Sequence, residues 1–172
     1  MPTRTTVPID TAVFRDAFAS LPTSVAVITT TDAHGTPKGL TSNAVCAVSM
    51  DPPLLLICVD KSSRTLPALL RSDGFVVNFL SEDAEQVSRQ FAAKGADKFA
   101  GVQYRASARA AGSPVLFADS VAFLECATES RIEAGDHWIL LGRVLDGEVH
   151  DRGALLYHRR SYLKLLTERN PS

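Results

Sequence analysis

The stretch Ser120–Asp146, SVAFLECATESRIEAGDHWILLGRVLD, sets two long apolar runs on either side of a tight turn. From Ser120 to Ile132 the side chains alternate. Ala122, Leu124, Cys126 and Thr128 fall on one face, and Val121, Phe123 and Glu125 on the other. Gly135-Asp136-His137 is turn chemistry, with glycine free to take positive φ, and Trp138–Asp146 is the return strand. A period of two on both sides of a short turn reads as an antiparallel hairpin.

Upstream, Ser24–Thr31 (SVAVITTT) is rich in β-branched residues and reads as a strand. Asp32-Ala33-His34-Gly35 turns the chain, and Lys38–Ser49 resumes as one strand until Asp51-Pro52-Pro53 breaks it. Leu54–Asp60 is nearly continuous in apolar residues, the pattern of a strand covered on both faces. Gly74–Phe79 is a further strand, and Leu155–Tyr157 a short last one. Helices are expected at Thr11–Ala19 behind the cap Asp10, at Ser63–Arg71 with Pro67 in its first turn, and at Ser81–Ala93 with Ser81 as cap. Strands in hairpin order, without a βαβ rhythm, disfavour a doubly wound parallel sheet. The expected fold is mainly β: a closed or partly closed antiparallel barrel with a few short flanking helices.

The chain has 172 residues, enough for one self-sufficient domain. No composition shift or repeat divides it, and the tails 1–8 and 167–172 are polar and expected to be loose. Lysine plus arginine number 18 and aspartate plus glutamate 19, a net charge of −1, which gives no electrostatic case for nucleic acid. No apolar run approaches the ~20 residues of a membrane helix. The N-terminus lacks the apolar core of a secretory signal, so a cytoplasmic location is expected. Cys46, Cys58 and Cys126 are odd in number, form no CxxC pair and read as three reduced core thiols. His34, His150 and His158 have no metal-ligand spacing, and no metal site is expected. Neither GxGxxG after the first strand, nor a phosphate-loop motif, nor a GxSxG elbow is present.

Four polar clusters carry chemistry. Gly39-Leu40-Thr41-Ser42-Asn43-Ala44, followed by Ser49, offers small polar side chains and reachable backbone to a planar heterocycle, or is a solvated edge strand. Asp60-Lys61-Ser62-Ser63-Arg64-Thr65 opens a helix with hydroxyls and a guanidinium fork, which suits an anion or a plain serine cap. Lys94-Gly95-Ala96-Asp97-Lys98-Phe99-Ala100-Gly101 puts two lysines around a loop after a helix, where cations also offset the helix dipole. His137, at the tip of the Gly135-Asp136-His137 turn, can stack and donate a hydrogen bond, or simply decorate the turn.

Read singly these clusters decide nothing; their order does. Gly39-Leu40-Thr41-Ser42-Asn43, Ser49-Met50-Asp51-Pro52-Pro53-Leu54, Ser63-Arg64-Thr65, Phe75-Val76-Val77-Asn78-Phe79-Leu80, Asp97-Lys98-Phe99-Ala100-Gly101, Gly135-Asp136-His137 and Tyr157-His158-Arg159-Arg160-Ser161-Tyr162 together resemble the short-chain flavin reductases. These are the small components of two-component flavin-dependent monooxygenases. The resemblance runs from about Phe14 to Leu163. It implies an FMN-binding split β-barrel, Greek-key-like, that forms a homodimer and reduces FMN or FAD with NADH or NADPH for a partner monooxygenase. It assigns Thr41, Ser42, Asn43 and Ala44 to the isoalloxazine and Ser63, Arg64 and Thr65, with Ser62 beside them, to the ribityl phosphate side. Lys98 and Phe99 border the flavin; Ser49, Asn78 and Tyr162 complete the cofactor-binding set. His137 meets the nicotinamide nucleotide. Two other readings share the architecture: a non-catalytic flavin-binding barrel and an oxidase of pyridoxamine-phosphate type. A nicotinamide clamp at His137 belongs only to the reductase.

Overall fold

The computed structural model describes residues 8–95 and 97–165. In chain order the elements are α1 (Thr11–Ala19), β1 (Thr23–Ser24), β2 (Ala26–Thr31), β3 (Pro37–Ser42), β4 (Val45–Met50), β5 (Pro53–Asp60), α2 (Leu66–Leu69), β6 (Gly74–Leu80), α3 (Glu85–Ala92), β7 (Arg105–Ala106), β8 (Pro114–Val115), β9 (Ser120–Ala134), β10 (His137–Val149), β11 (Leu155–His158) and β12 (Ser161–Lys164). Seven strands form one antiparallel sheet in the order β3-β2-β6-β9-β10-β5-β4. Its spine is the hairpin read first in the sequence. Ala134 pairs with His137 around Gly135, whose φ of 61° needs no Cβ. Both arms run beyond their expected ends, to Ala134 and Val149.

The sheet curls without closing. Ala26 and Ile28 of β2 share one core with Leu55, Ile57 and Val59 of β5, although three strands lie between them in the sheet. Phe75, Val77, Cys126 and Leu140 fill that core, and Leu66 and Leu69 of α2 cap it. Alternate residues of β2 and β6 face outward: Val27 packs with Phe91 of α3, and Val76 with Phe123, Ala110 and Val115. Edge strands β3 and β4 are joined by only Asn43 and Ala44, yet no ladder links them, which leaves the barrel split along that seam.

Beyond shortened ends, such as α2 at Leu66–Leu69 against the expected Ser63–Arg71, four expectations need correction. The single strand Lys38–Ser49 is two strands, broken where the Ala44 amide donates to the Ser42 hydroxyl (3.1 Å) and the chain crosses from one sheet edge to the other. Leu54–Asp60 is not covered on both faces: Leu55, Ile57 and Val59 are buried while Leu54, Leu56 and Cys58 face outward, half-exposed. Helix α3 starts at Glu85 rather than after Ser81, because Ser81 instead bridges Ala154 and accepts the Ala84 amide at its carbonyl. Of the three free cysteines, Cys126 is buried, Cys58 half-buried and Cys46 exposed on edge strand β4, so only Cys126 is a core thiol. Burial, and next the neighbouring Glu125 charge, push the Cys126 thiol up to about 12. The tails expected to be loose lie outside the described residues, apart from Pro8.

Among the described residues no helix is long and apolar enough to cross a membrane. No group of three metal-ligating side chains gathers among them either.

Candidate functional site

The seam places a free strand edge, β3, between two clefts. The first, of ≈ 530 Å³, is lined by Thr36, Pro37, Lys38, Gly39, Arg64, Thr65, Gly95, Asp97, Lys98, Phe99 and Tyr104. The second, of ≈ 180 Å³, is lined by Val25, Thr41, Ser42, Asn43, Ser88, Ala92, Tyr157 and Tyr162.

Gly39 organises the first cleft. Its carbonyl, on the free edge of β3, accepts hydrogen bonds from Thr65 Oγ1 (2.8 Å) and Lys98 Nζ (3.2 Å). A Cβ on Gly39 would lie 2.5 Å from the Phe91 ring, so glycine lets α3 sit directly against the strand. Lys98 Nζ also donates to the Phe91 carbonyl (2.6 Å), which ties the loop after α3 to the strand. Burial, reinforced by the charge of Arg64, holds the Lys98 ammonium below the ordinary lysine range. Arg64 projects from the loop before α2 and makes one long contact, 3.5 Å, to the Gly95 carbonyl. Lys38 pairs with Asp32 at 3.3 Å. Asp97, the cleft's one acid, accepts the Phe99 amide (3.1 Å). With Lys38 offset by Asp32, Arg64 and Lys98 against the one carboxylate of Asp97 suit the cleft to an anion. The rings of Phe99 and Tyr104, 5.3 Å apart, give it an aromatic wall.

The second cleft is more neutral. Thr41 Oγ1 donates to the Ser88 carbonyl (2.6 Å), and the Ser88 hydroxyl lies 2.8 Å from that of Tyr162. The Arg89 guanidinium stands 4.8 Å from the centre of the Tyr162 ring. Asn43 donates its amide to Thr23 Oγ1 (3.1 Å).

The residues singled out in the sequence therefore divide. Arg64, Thr65, Lys98 and Phe99 meet in the first cleft; Thr41, Ser42, Asn43 and Tyr162 meet in the second. Ala44 is exposed on the seam, its carbonyl accepting the Cys58 amide (3.0 Å). Ser62 and Ser63 shape the loop: the Ser62 amide donates to Asp60 (2.6 Å) and the Ser63 hydroxyl accepts the Thr65 amide (3.3 Å). Ser49 pairs with Leu54 in the sheet and lines neither cleft.

Asn78 lies in the barrel wall, 0% exposed. Its amide nitrogen donates to the Val27 carbonyl (3.0 Å) and Thr29 Oγ1 (3.1 Å), and its oxygen accepts the Leu116 amide (2.8 Å). A side chain so enclosed has no face for a cofactor; it is a clamp between β2, β6 and the segment around β8.

His137 lines neither cleft, but its hairpin tip is tied to the Arg64 loop. The Lys61 amide donates to the Asp136 carbonyl (3.0 Å), and His137 stands opposite Asp60 in the ladder. Its Nδ1 lies 2.7 Å from Asp136 Oδ1. That hydrogen bond, more than any other influence, holds the Asp136 carboxyl below its usual range. Sequence reading missed Tyr104, Tyr157 and Ser88. Ser88 had a signal, lying three residues before buried Phe91 on one helix face. Tyr104, in an irregular loop, had none.

A family model described as the flavin reductase like domain matches residues 18–166. The chain belongs to this family. It is 41% identical over 165 residues to a flavin reductase (NADH) of Kitasatospora aureofaciens, covering 95% of this chain and 86% of that one. It is 38% identical over 155 residues to the flavin-dependent monooxygenase reductase subunit HsaB of Rhodococcus jostii, covering 90% of this chain and 77% of the relative. Its fold superposes with a TM-score of 0.86 on the NADH:FAD oxidoreductase SgcE6 of Streptomyces globisporus, solved with NAD and FAD fragments. That pair is 32% identical, over 94% of this chain and 96% of the other. Such neighbours favour the expected split barrel of the reductase over the pyridoxamine-phosphate oxidase reading.

Proposed function

We propose that this protein is an NAD(P)H:flavin oxidoreductase that reduces FMN or FAD, with NADH as the preferred donor, and hands reduced flavin to a partner monooxygenase. The observation that carries the reading is the first cleft. Arg64 and Lys98 converge there beside an aromatic wall, and β3 leads from it along a free edge to Thr41, Ser42 and Asn43. Its volume lies in the range of small-ligand sites, ~300–1,000 Å³. The donor set fits a flavin nucleotide: cations for the phosphate end, a ring wall, and small polar groups for the heterocycle.

A flavin held there would supply the redox chemistry, as the acceptor of hydride from a nicotinamide. The chain's residues bind and orient. Arg64 and Thr65 hold the phosphate end. Lys98 keeps a positive charge near the ring system and favours its reduced, more anionic form. His137 clamps the nicotinamide nucleotide from the hairpin tip, a proximity role that needs no proton transfer. Ala44 and the hydroxyls of Ser62 and Ser63 serve as backbone and loop contacts.

The working unit is a homodimer. The ladder aligns Cys46, Leu56 and Leu141 in one row and Cys58, Ile139 and Ile132 in the next, all on the outer face of β4-β5-β10-β9. Ile132 is 53% exposed, and α1 buries none of its residues. A second copy of this chain covers such a face most simply. Three free thiols and a nicotinamide donor suit the cytoplasm.

The test is direct. Purified protein mixed with NADH and FMN should bleach the nicotinamide absorbance catalytically, and sedimentation should give twice the chain mass. Binding of flavin without turnover would leave only the non-catalytic reading.

A further inference from the structure

Glu125 is an acid on β9 that is 2% exposed and lines neither cleft. Its carboxyl grips two residues of one short segment. Oε1 lies 3.2 Å from Nη2 of Arg105, and Oε2 accepts a short hydrogen bond from the Ser107 hydroxyl. The Ser107 oxygen in turn accepts the amides of Arg109 (3.0 Å) and Ala110 (2.6 Å). The Arg105 guanidinium also stands 5.2 Å from the centre of the Phe123 ring, two residues before Glu125 on the same face of β9. The pair joins a buried carboxylate to a half-exposed guanidinium, and desolvation of the carboxylate offsets much of the attraction, so it adds little net stability. What it adds is direction: it specifies which residues meet.

Here it specifies register. Arg105 and Ser107 are two residues apart and both reach Glu125. Tyr104 precedes them and lines the first cleft, its ring against Phe99. In extended backbone neighbouring side chains take opposite sides. A slip of one residue would therefore put a guanidinium in the cleft or, in the other direction, a phenol against a buried carboxylate. We infer that Glu125 is a positioning residue for the flavin site: by holding Arg105 and Ser107 it keeps Tyr104 as the cleft's aromatic wall. This rests on the reading of that cleft as the flavin site.

The test is a double-mutant cycle on FMN binding, read by quenching of flavin fluorescence, with thermal unfolding recorded for each variant. Glu125→Gln keeps the shape but removes the charge that holds Arg105. It should weaken FMN binding about three- to tenfold, the range of one aromatic contact. Tyr104→Ala should weaken it by a similar factor, and the double variant should be no worse than Tyr104→Ala alone. Arg105→Lys should retain most of the affinity that Arg105→Met loses. Additive losses, or a lowered unfolding midpoint with wild-type affinity, would overturn the inference by reducing Glu125 to a general stabiliser. If Glu125→Gln does not fold, Ser107→Ala takes its place in the same cycle with the same expectations. Wild-type protein that binds neither FMN nor FAD would overturn the flavin reading and this inference with it, an outcome distinct from both.

Discussion

Replacing Arg64 with alanine separates the two ends of the proposed ligand. The guanidinium lines the first cleft, and its one hydrogen bond among the described residues is the 3.5 Å contact to Gly95. Little of the fold leans on it. An exposed side chain of this kind contributes within about 0.5 kcal/mol, so the unfolding midpoint should move by no more than about 2 °C. Binding should move further. A hydrogen bond between charged partners contributes about 1.5–3 kcal/mol, and the exposure of Arg64 places it at the lower end. About 1.5 kcal/mol is roughly tenfold in Kd for FMN. Riboflavin has no phosphate and should lose less than about twofold. A second signature follows from Lys98, whose ammonium is kept below the ordinary lysine range first by burial and then by Arg64. Without Arg64, Lys98 holds its proton to higher pH, so the alkaline loss of FMN binding should move upward in pH. Fluorescence titrations of both ligands across pH read both effects. Equal losses for FMN and riboflavin would refute the phosphate role, and an unmoved alkaline limb would refute the coupling of the two cations.

Three other outcomes are expected. His137→Ala should raise the KM for NADH about five- to thirtyfold, with flavin affinity and maximal rate little changed. An acid role would instead lower the rate at saturating NADH. Asn78→Leu should remove the side-chain partner of the Val27 carbonyl and the Leu116 amide and one partner of the Thr29 hydroxyl, at about 3 kcal/mol, and lower the unfolding midpoint by roughly 6–12 °C. The folded fraction should bind FMN normally, as calorimetry and flavin titration would show. Gly39→Ala drives a Cβ into the Phe91 ring and should cost about 1–3 kcal/mol. It should also weaken FMN binding, because Lys98 and Thr65 share the Gly39 carbonyl; Phe91→Leu in the same chain should relieve part of both losses.

The parts of the fold legible in the sequence were those where one physical signal dominates. The β9–β10 hairpin shows because two long runs alternate around a glycine that must adopt positive φ. Its ends were short because Glu133 and Ala134 on one arm and Gly147 to Val149 on the other pair through the backbone, which side-chain pattern does not report. The break at Asn43 was invisible for a related reason: β-branched residues continue on both sides of it, and only the sheet's topology requires the crossing. In the site, Arg64 and Lys98 announce themselves by charge in loops. Asn78 entered the cofactor set only through the resemblance; its side chain meets backbone groups of β2 and Leu116, partners that no local reading supplies. Tyr104 was silent because its place in the cleft depends on a contact made by Arg105 with a residue twenty positions away.

An unpaired sheet edge invites association with another strand, and most proteins cover or blunt theirs. In this chain the uncovered edge is where the chemistry gathers. Had β3 and β4 zipped together, the Gly39 carbonyl would face a strand neighbour, not Thr65 and Lys98, and no cleft would remain between that strand and the loop of residues 97–104. The split follows from the path of the chain at Asn43 and Ala44, which carries it from one sheet edge to the other with no ladder between β3 and β4. It leaves the strand's free edge open to a flat heterocycle, while two long cationic side chains reach the same edge from elements far apart in sequence. The unclosed seam and the proposed flavin site are thus one feature, and substitutions that stiffen the seam should cost binding before they cost fold.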